Sequence, residues 1–165
     1  MSSDVQPPPR TPRSILFVCT GNTCRSPLAE RLCRQRLADR LGCRPGDLES
    51  RGFAVASAGV MAYPGDVASP PAVVAAGELG AELADHRSQP VTPELLDRAT
   101  DVIAMTASHL DLLAYRFPNV GPPPALMSSA GDVPDPIGGE LDEYRACARH
   151  IADHLDRLIT RWLGS

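Results

Sequence analysis

The segment Cys19-Thr20-Gly21-Asn22-Thr23-Cys24-Arg25-Ser26 gathers a thiol, an arginine and a hydroxyl into eight consecutive residues. Five residues separate Cys19 from Arg25, enough for the backbone to curl with its N–H groups inward as an anion-binding nest. Gly21 permits unusual backbone angles and Asn22 tolerates the left-handed region. The planar fork of Arg25 can grip two oxygens of a phosphate. The same dipoles favour a thiolate, so the loop predicts a lowered pKa at Cys19 and a nucleophile at neutral pH. Ser26 can donate a hydrogen bond to that sulfur. The chemistry this pattern suits is transfer of a phosphoryl group to sulfur, with Thr20, Gly21, Asn22, Thr23, Cys24 and Ser26 around the anion.

A thiolate alone cannot finish such a reaction. The leaving group needs a proton, and the phosphocysteine then needs an activated water. One carboxylic acid can serve both steps in turn. Asp135, in Asp132-Val133-Pro134-Asp135-Pro136, is the candidate, because Pro136 biases it toward extended backbone inside a Pro- and Gly-rich loop. Asp132 is the weaker alternative. The scheme requires no metal and no cofactor.

The flanking sequence says what positions these groups. Ile15 to Cys19 reads as a buried strand, and Ser26 with Pro27 as the cap and first position of a helix ending near Gly42. Strands follow at Phe53–Ala58, Val102–Thr106 and Ala125–Met127. Helices are expected from Pro70 to about Leu79, after Thr92, over Ala107–Arg116 and from about Glu140 to Trp162. Alternating strands and helices predict a three-layer α/β fold: a central four-stranded parallel sheet flanked by helices. Ligands in such sheets sit beyond the carboxyl ends of the strands, and Cys19 is at one. Residues 1–13, rich in proline, read as a disordered tail, and residues 14–165 as a single domain.

Composition narrows the function. The net charge of -4 and the 4% aromatic content argue against a nucleic-acid partner. All positive residues are arginine, which excludes a Schiff-base lysine and a nucleotide-binding loop ending in Gly-Lys. Five unevenly spaced cysteines fit no disulfide scaffold, and no apolar stretch is long enough to span a membrane. A cytoplasmic monomer is the expectation. His109 reads as a helix-start residue, the Arg31–Arg40 cluster and the His150/His154 pair as solvated helix faces, and Cys33 and Cys147 as core thiols.

The full string Cys19 to Pro27, the Ser57-Ala58-Gly59 segment and the Asp135-Pro136 pair together resemble the low-molecular-weight protein phosphatases, a family of cysteine-dependent tyrosine and arginine phosphatases. The resemblance runs from Ser14 to the end. It implies Cys19 as nucleophile, Arg25 as phosphate ligand and Asp135 as acid then base. It further implies that Asn22, Ser26, Ser57 and His86 share a hydrogen-bond network, and that Cys24 is the redox partner of Cys19. The implied substrates are phosphorylated proteins, and inorganic phosphate is the product.

Two positions bear on which side chain carries the phosphoryl group. Tyrosine phosphatases of the family usually have Ile or Leu where this chain has Thr23, and the arginine phosphatases have Thr. A phenyl ring gains from an apolar wall, whereas a small hydroxyl leaves room for a polar guanidinium. Ile137-Gly138-Gly139 supplies none of the aromatics that tyrosine-specific members carry after the Asp-Pro pair, although an arginine phosphatase would be expected to have Phe at 137. The reading is a phosphoarginine phosphatase, with a tyrosine phosphatase as the alternative. Arsenate reductases share the loop but need shuttle cysteines, and this chain has none between Cys43 and Cys147. A redox-sensing anion-binding module would leave Asp135 idle.

Overall fold

The computed structural model describes residues 12–164, so most of the expected tail lies outside the described residues. The first strand, β1 (Arg13–Cys19), starts inside the segment expected to be tail. Arg13 is held there by a bidentate ion pair to Asp101, at 2.9 and 3.1 Å, and lies over the Trp162 ring. Next come α1 (Arg25–Leu41), β2 (Phe53–Gly59), α2 (Pro70–Glu78), α3 (Pro93–Arg98), β3 (Asp101–Ala104), α4 (Ala107–Arg116), β4 (Ala125–Leu126) and α5 (Leu141–Trp162). Two short 3-10 turns, Pro45–Asp47 and Glu49–Arg51, lie between α1 and β2.

The sheet is parallel throughout, in the order β2-β1-β3-β4, as expected. β1 is central, and its alternation feeds two cores. Ile15, Phe17 and Cys19 face a layer containing Leu28 and Leu32 of α1, Ala72 and Ala76 of α2, and Ile151 and Leu155 of α5. Leu16 and Val18 face Leu96 of α3 and Leu113 of α4. Both faces of a central parallel strand are covered, so its sequence is a continuous apolar run rather than an alternating one.

Several element ends differ from the sequence expectation, while the end of α1 agrees with it. α1 is capped at Cys24 and already includes Ser26, whose hydroxyl is committed elsewhere. β3 and β4 are shorter than expected, because β4 pairs with β3 over just two residues. Gly42 ends α1 in the left-handed conformation at φ 68°.

Candidate active site

The carboxyl end of β1 turns into α1 through residues 20–24, and this turn rests against the end of β2. Gly59 is the contact point. A Cβ there would stand 2.8 Å from the Ala62 Cβ and 3.0 Å from the Asn22 nitrogen, and would collide with the Thr20 carbonyl oxygen. The segment after β2 is tied to the turn by the Val60 and Met61 amides, which donate to the Cys19 and Thr20 carbonyls at 2.9 Å.

Asn22 organises the turn from inside. It is fully buried and takes the left-handed conformation at φ 58°. Its Nδ2 donates to Ser26 Oγ and Ser57 Oγ, both at 2.9 Å. Its Oδ1 accepts from the Gln89 amide at 2.9 Å, and its carbonyl accepts from His86 Nε2 at 2.8 Å. His86 is therefore the Nε2–H tautomer, and burial holds its pKa below the usual imidazole value.

These bonds fix hydroxyl directions. Ser57 accepts from Asn22, so its own proton goes to Glu30 Oε1 at 2.7 Å. Ser26 accepts from Asn22, so its proton points at Cys19 Sγ at 2.8 Å. A chain of oriented donors thus ends on the sulfur. Glu30 closes the other end, ion-paired with Arg31 at 2.9 Å and Arg34 at 3.0 Å.

The Cys19 thiol itself departs from expectation. Burial pushes its pKa up, and this outweighs the Ser26 hydrogen bonds, the Asn22 amide and the Arg25 charge, which all pull it down. A loop that only solvated the anion would have lowered it. Here the thiol is 2% exposed, and loss of water is the largest effect.

Arg25 is buried, with 6% of its side chain exposed. Its Nη1 donates to the Val133 carbonyl at 3.0 Å, and its Nη2 stands 3.5 Å from both Thr20 Oγ1 and Asp135 Oδ2. Asp135 is 41% exposed at its side chain and accepts from the Ile137 amide at 3.0 Å. Val133 anchors this acidic loop through its amide on the Met105 carbonyl at 2.8 Å. Asp132, the weaker acid candidate, instead accepts from the Ala107 amide at the start of α4, 2.8 Å away.

The residues nominated from sequence therefore converge. Cys19, Asn22, Ser26, Ser57 and His86 share one network, and Arg25 links the turn to Asp135. Gly21 lines the same turn, and Thr23 is half-buried beside Cys24, with 3.9 Å between Oγ1 and sulfur. Ile137 is 59% exposed on the acidic loop. Cys24 is a free thiol 2.9 Å from Ser69 Oγ and 3.9 Å from the Tyr144 hydroxyl. Three participants were missed. Glu30, the acceptor of the Ser57 proton, and Tyr144, beside Cys24, were not singled out from sequence. His109, read as a helix-start residue, is 3% exposed with its Nε2 2.8 Å from Thr20 Oγ1.

Two surface expectations also fail. Arg31, Arg34 and Arg36 are half-buried and paired: Arg31 also with Asp85, Arg34 with the Val55 carbonyl, and Arg36 with Asp156 on α5. His150 and His154 are half-buried, with ring centroids 4.7 Å apart, and His150 Nε2 is buried without a hydrogen-bond partner.

The family model described as low molecular weight phosphotyrosine protein phosphatase matches residues 14–163. The chain belongs to that family. A relative named protein-arginine-phosphatase, from Geobacillus stearothermophilus, is 39% identical over 155 residues, covering 91% of this chain and 96% of its own. A probable low molecular weight protein-tyrosine-phosphatase, AmsI of Erwinia amylovora, is 32% identical, covering 92% of this chain and 96% of its own length. Among solved structures, the YwlE arginine phosphatase, in a mutant form with a phosphorylated active-site serine, superposes with a TM-score of 0.81 at 36% identity. That match covers 92% of this chain and 97% of that one. Low-molecular-weight phosphatases of both substrate classes thus share the fold and most of the length of this chain.

Proposed function

We propose that this chain is a protein-arginine phosphatase that works through a phosphocysteine. The observation that carries the reading is the Cys19 sulfur held by a donating Ser26 hydroxyl at 2.8 Å, in a turn whose buried Arg25 reaches the Asp135 carboxylate at 3.5 Å. In the first step the Cys19 thiolate attacks phosphorus. The P–N bond breaks, and Asp135, protonated, gives its proton to the leaving guanidine nitrogen. In the second step Asp135 takes a proton from water, the oxygen attacks phosphorus, and the S–P bond breaks. The departing thiolate is received by the Ser26 hydroxyl, and inorganic phosphate leaves. Arg25 and the backbone N–H groups of residues 20–26 neutralise the equatorial oxygens throughout, and such positioning carries most of the rate in phosphoryl transfer.

Substrate choice rests on Thr23 and on the acidic loop, where Pro136, Ile137 and Gly138 supply no ring wall. The 39% identity to a named arginine phosphatase supports the same reading. The alternative, phosphotyrosine, is favoured by Met61 and Tyr63, which are 65% and 76% exposed on the segment bonded to the Thr20 carbonyl and could flank an aromatic ring.

Hydrolysis of matched phosphoarginine and phosphotyrosine peptides, side by side, tests the proposal. The native protein prefers phosphoarginine, Cys19→Ser loses more than about a thousandfold in rate, and Thr23→Ile shifts the preference toward phosphotyrosine. A native preference for phosphotyrosine that Thr23→Ile leaves unchanged would overturn the substrate assignment. Full activity in Cys19→Ser would remove the mechanism.

A further inference from the structure

We propose that His109 is a positioning residue for phosphate binding: it holds the Thr20 hydroxyl so that its oxygen faces the Arg25 guanidinium. The inference rests on the reading of Arg25 as the phosphate ligand.

His109 stands at the third position of α4, 89 residues along the chain from Thr20. Its ring bridges two threonines. Nδ1 is 3.0 Å from Thr106 Oγ1, and Nε2 is 2.8 Å from Thr20 Oγ1. Thr106 caps α4 by accepting from the His109 amide at 3.2 Å, so the ring and the helix start are located by the same side chain. Thr20 Oγ1 in turn stands 3.5 Å from Arg25 Nη2.

Arg25 can only donate, so a hydroxyl beside it must offer its oxygen. The arrangement that does so sends the Thr20 proton the other way, to His109 Nε2. In that arrangement the ring nitrogen is bare, and the ring proton sits on Nδ1 and points at Thr106. A protonated ring would force Thr20 to accept from both sides and set a second cation near Arg25. Burial and the Arg25 charge hold the ring neutral, with its pKa pushed down to about 4. Beyond Thr20, Arg25 is held by the Val133 carbonyl and faced by Asp135. Thr20 is the contact that comes from the turn itself, so its orientation decides whether the guanidinium fork is aimed into the nest or drifts toward Asp135.

The test measures competitive inhibition by inorganic phosphate and KM for a phosphorylated peptide. His109→Leu raises the inhibition constant for phosphate and KM by about five- to tenfold, the loss expected for one hydrogen bond between neutral groups. His109→Gln, whose amide oxygen can replace Nε2 as acceptor, stays within about twofold to threefold of the native protein. Thr20→Val, in an exposed turn position, gives the same loss as His109→Leu without altering the helix start, so the idea remains testable if His109→Leu folds poorly. The double variant is no worse than either single one, because both changes break the same link. Losses that multiply in the double variant, or a Thr20→Val protein with native phosphate affinity, overturn the inference. Arg25→Lys separates it from the underlying reading. Weak phosphate binding there with native affinity in Thr20→Val sinks the role of His109 alone. Native affinity in Arg25→Lys sinks both.

Discussion

The Ser26 hydroxyl accepts from Asn22 and donates to Cys19, so it has no freedom to turn away from the sulfur. It is the first of the groups that oppose the burial of the thiol. Ser26→Ala removes that donor and leaves the desolvation in place. The Cys19 pKa therefore moves further up, and less thiolate is present at any given pH. The expected outcome is a slower inactivation by iodoacetate at neutral pH, with the pH midpoint of inactivation displaced upward. An unchanged midpoint would show that the hydroxyl does not stabilise the anion. At this scale the sequence was most legible where the chemistry is contiguous. Cys19 to Ser26 lie on one turn, and their types alone suggest an anion trap. Glu30 was not legible, because its partner Ser57 is 27 residues away and nothing local distinguishes it from its charged neighbours. The thiol pKa was misjudged because a sequence shows donors but not the water lost on burial.

At the level of elements, the site is a junction between the β1–α1 turn and the last residue of β2. Gly59 permits it, since a side chain there would have to occupy the space of the Thr20 carbonyl, the Asn22 amide and Ala62. Gly59→Ala must therefore push the turn outward while β2 keeps its pairing with β1. A misplacement of about 1 Å at a reacting group costs on the order of a hundredfold. The variant is expected to keep its circular dichroism spectrum and lose about a hundredfold in kcat/KM, with phosphate inhibition weakened in parallel. Near-native kinetics would mean that the turn tolerates displacement. The strands and most helix limits were legible because β1 is an unbroken apolar run and prolines and capping threonines mark α2, α3 and α4. The Arg31–Arg36 stretch was not. Helical spacing supplies Glu30 to Arg31 and Arg34, but Asp85, the Val55 carbonyl and Asp156 are partners supplied by the fold.

Across the whole molecule, two buried imidazoles link function to acid stability. His86 and His109 both have pKa values depressed by burial, the latter to about 4. An unfolded histidine titrates near 6.5, so below that pH the unfolded chain binds protons that the folded one refuses. Both contributions are present above about pH 6.5 and decline below it, for His109 as pH falls toward 4. For His109 the loss amounts to roughly 2–3 kcal/mol by pH 4.5, since each tenfold difference in proton affinity is worth about 1.4 kcal/mol. At His109 the Arg25 charge reinforces the effect of burial, and Asp132 and Asp135 act against it. Urea unfolding between about pH 7.5 and 4.5 is expected to show stability falling with acid, with a shallower fall in His109→Gln. Parallel curves for the two proteins would contradict the assignment.

Val133 is where the molecule's parts become interdependent. One backbone unit hangs from the end of β3 through its N–H and restrains the Arg25 fork through its carbonyl. Asp135 follows two residues later on the same strap. Under the proposed mechanism, raising that strap would loosen the Arg25 fork and carry Asp135 away from it in a single movement. Letting go of spent phosphate and resetting the acid would be the same mechanical event.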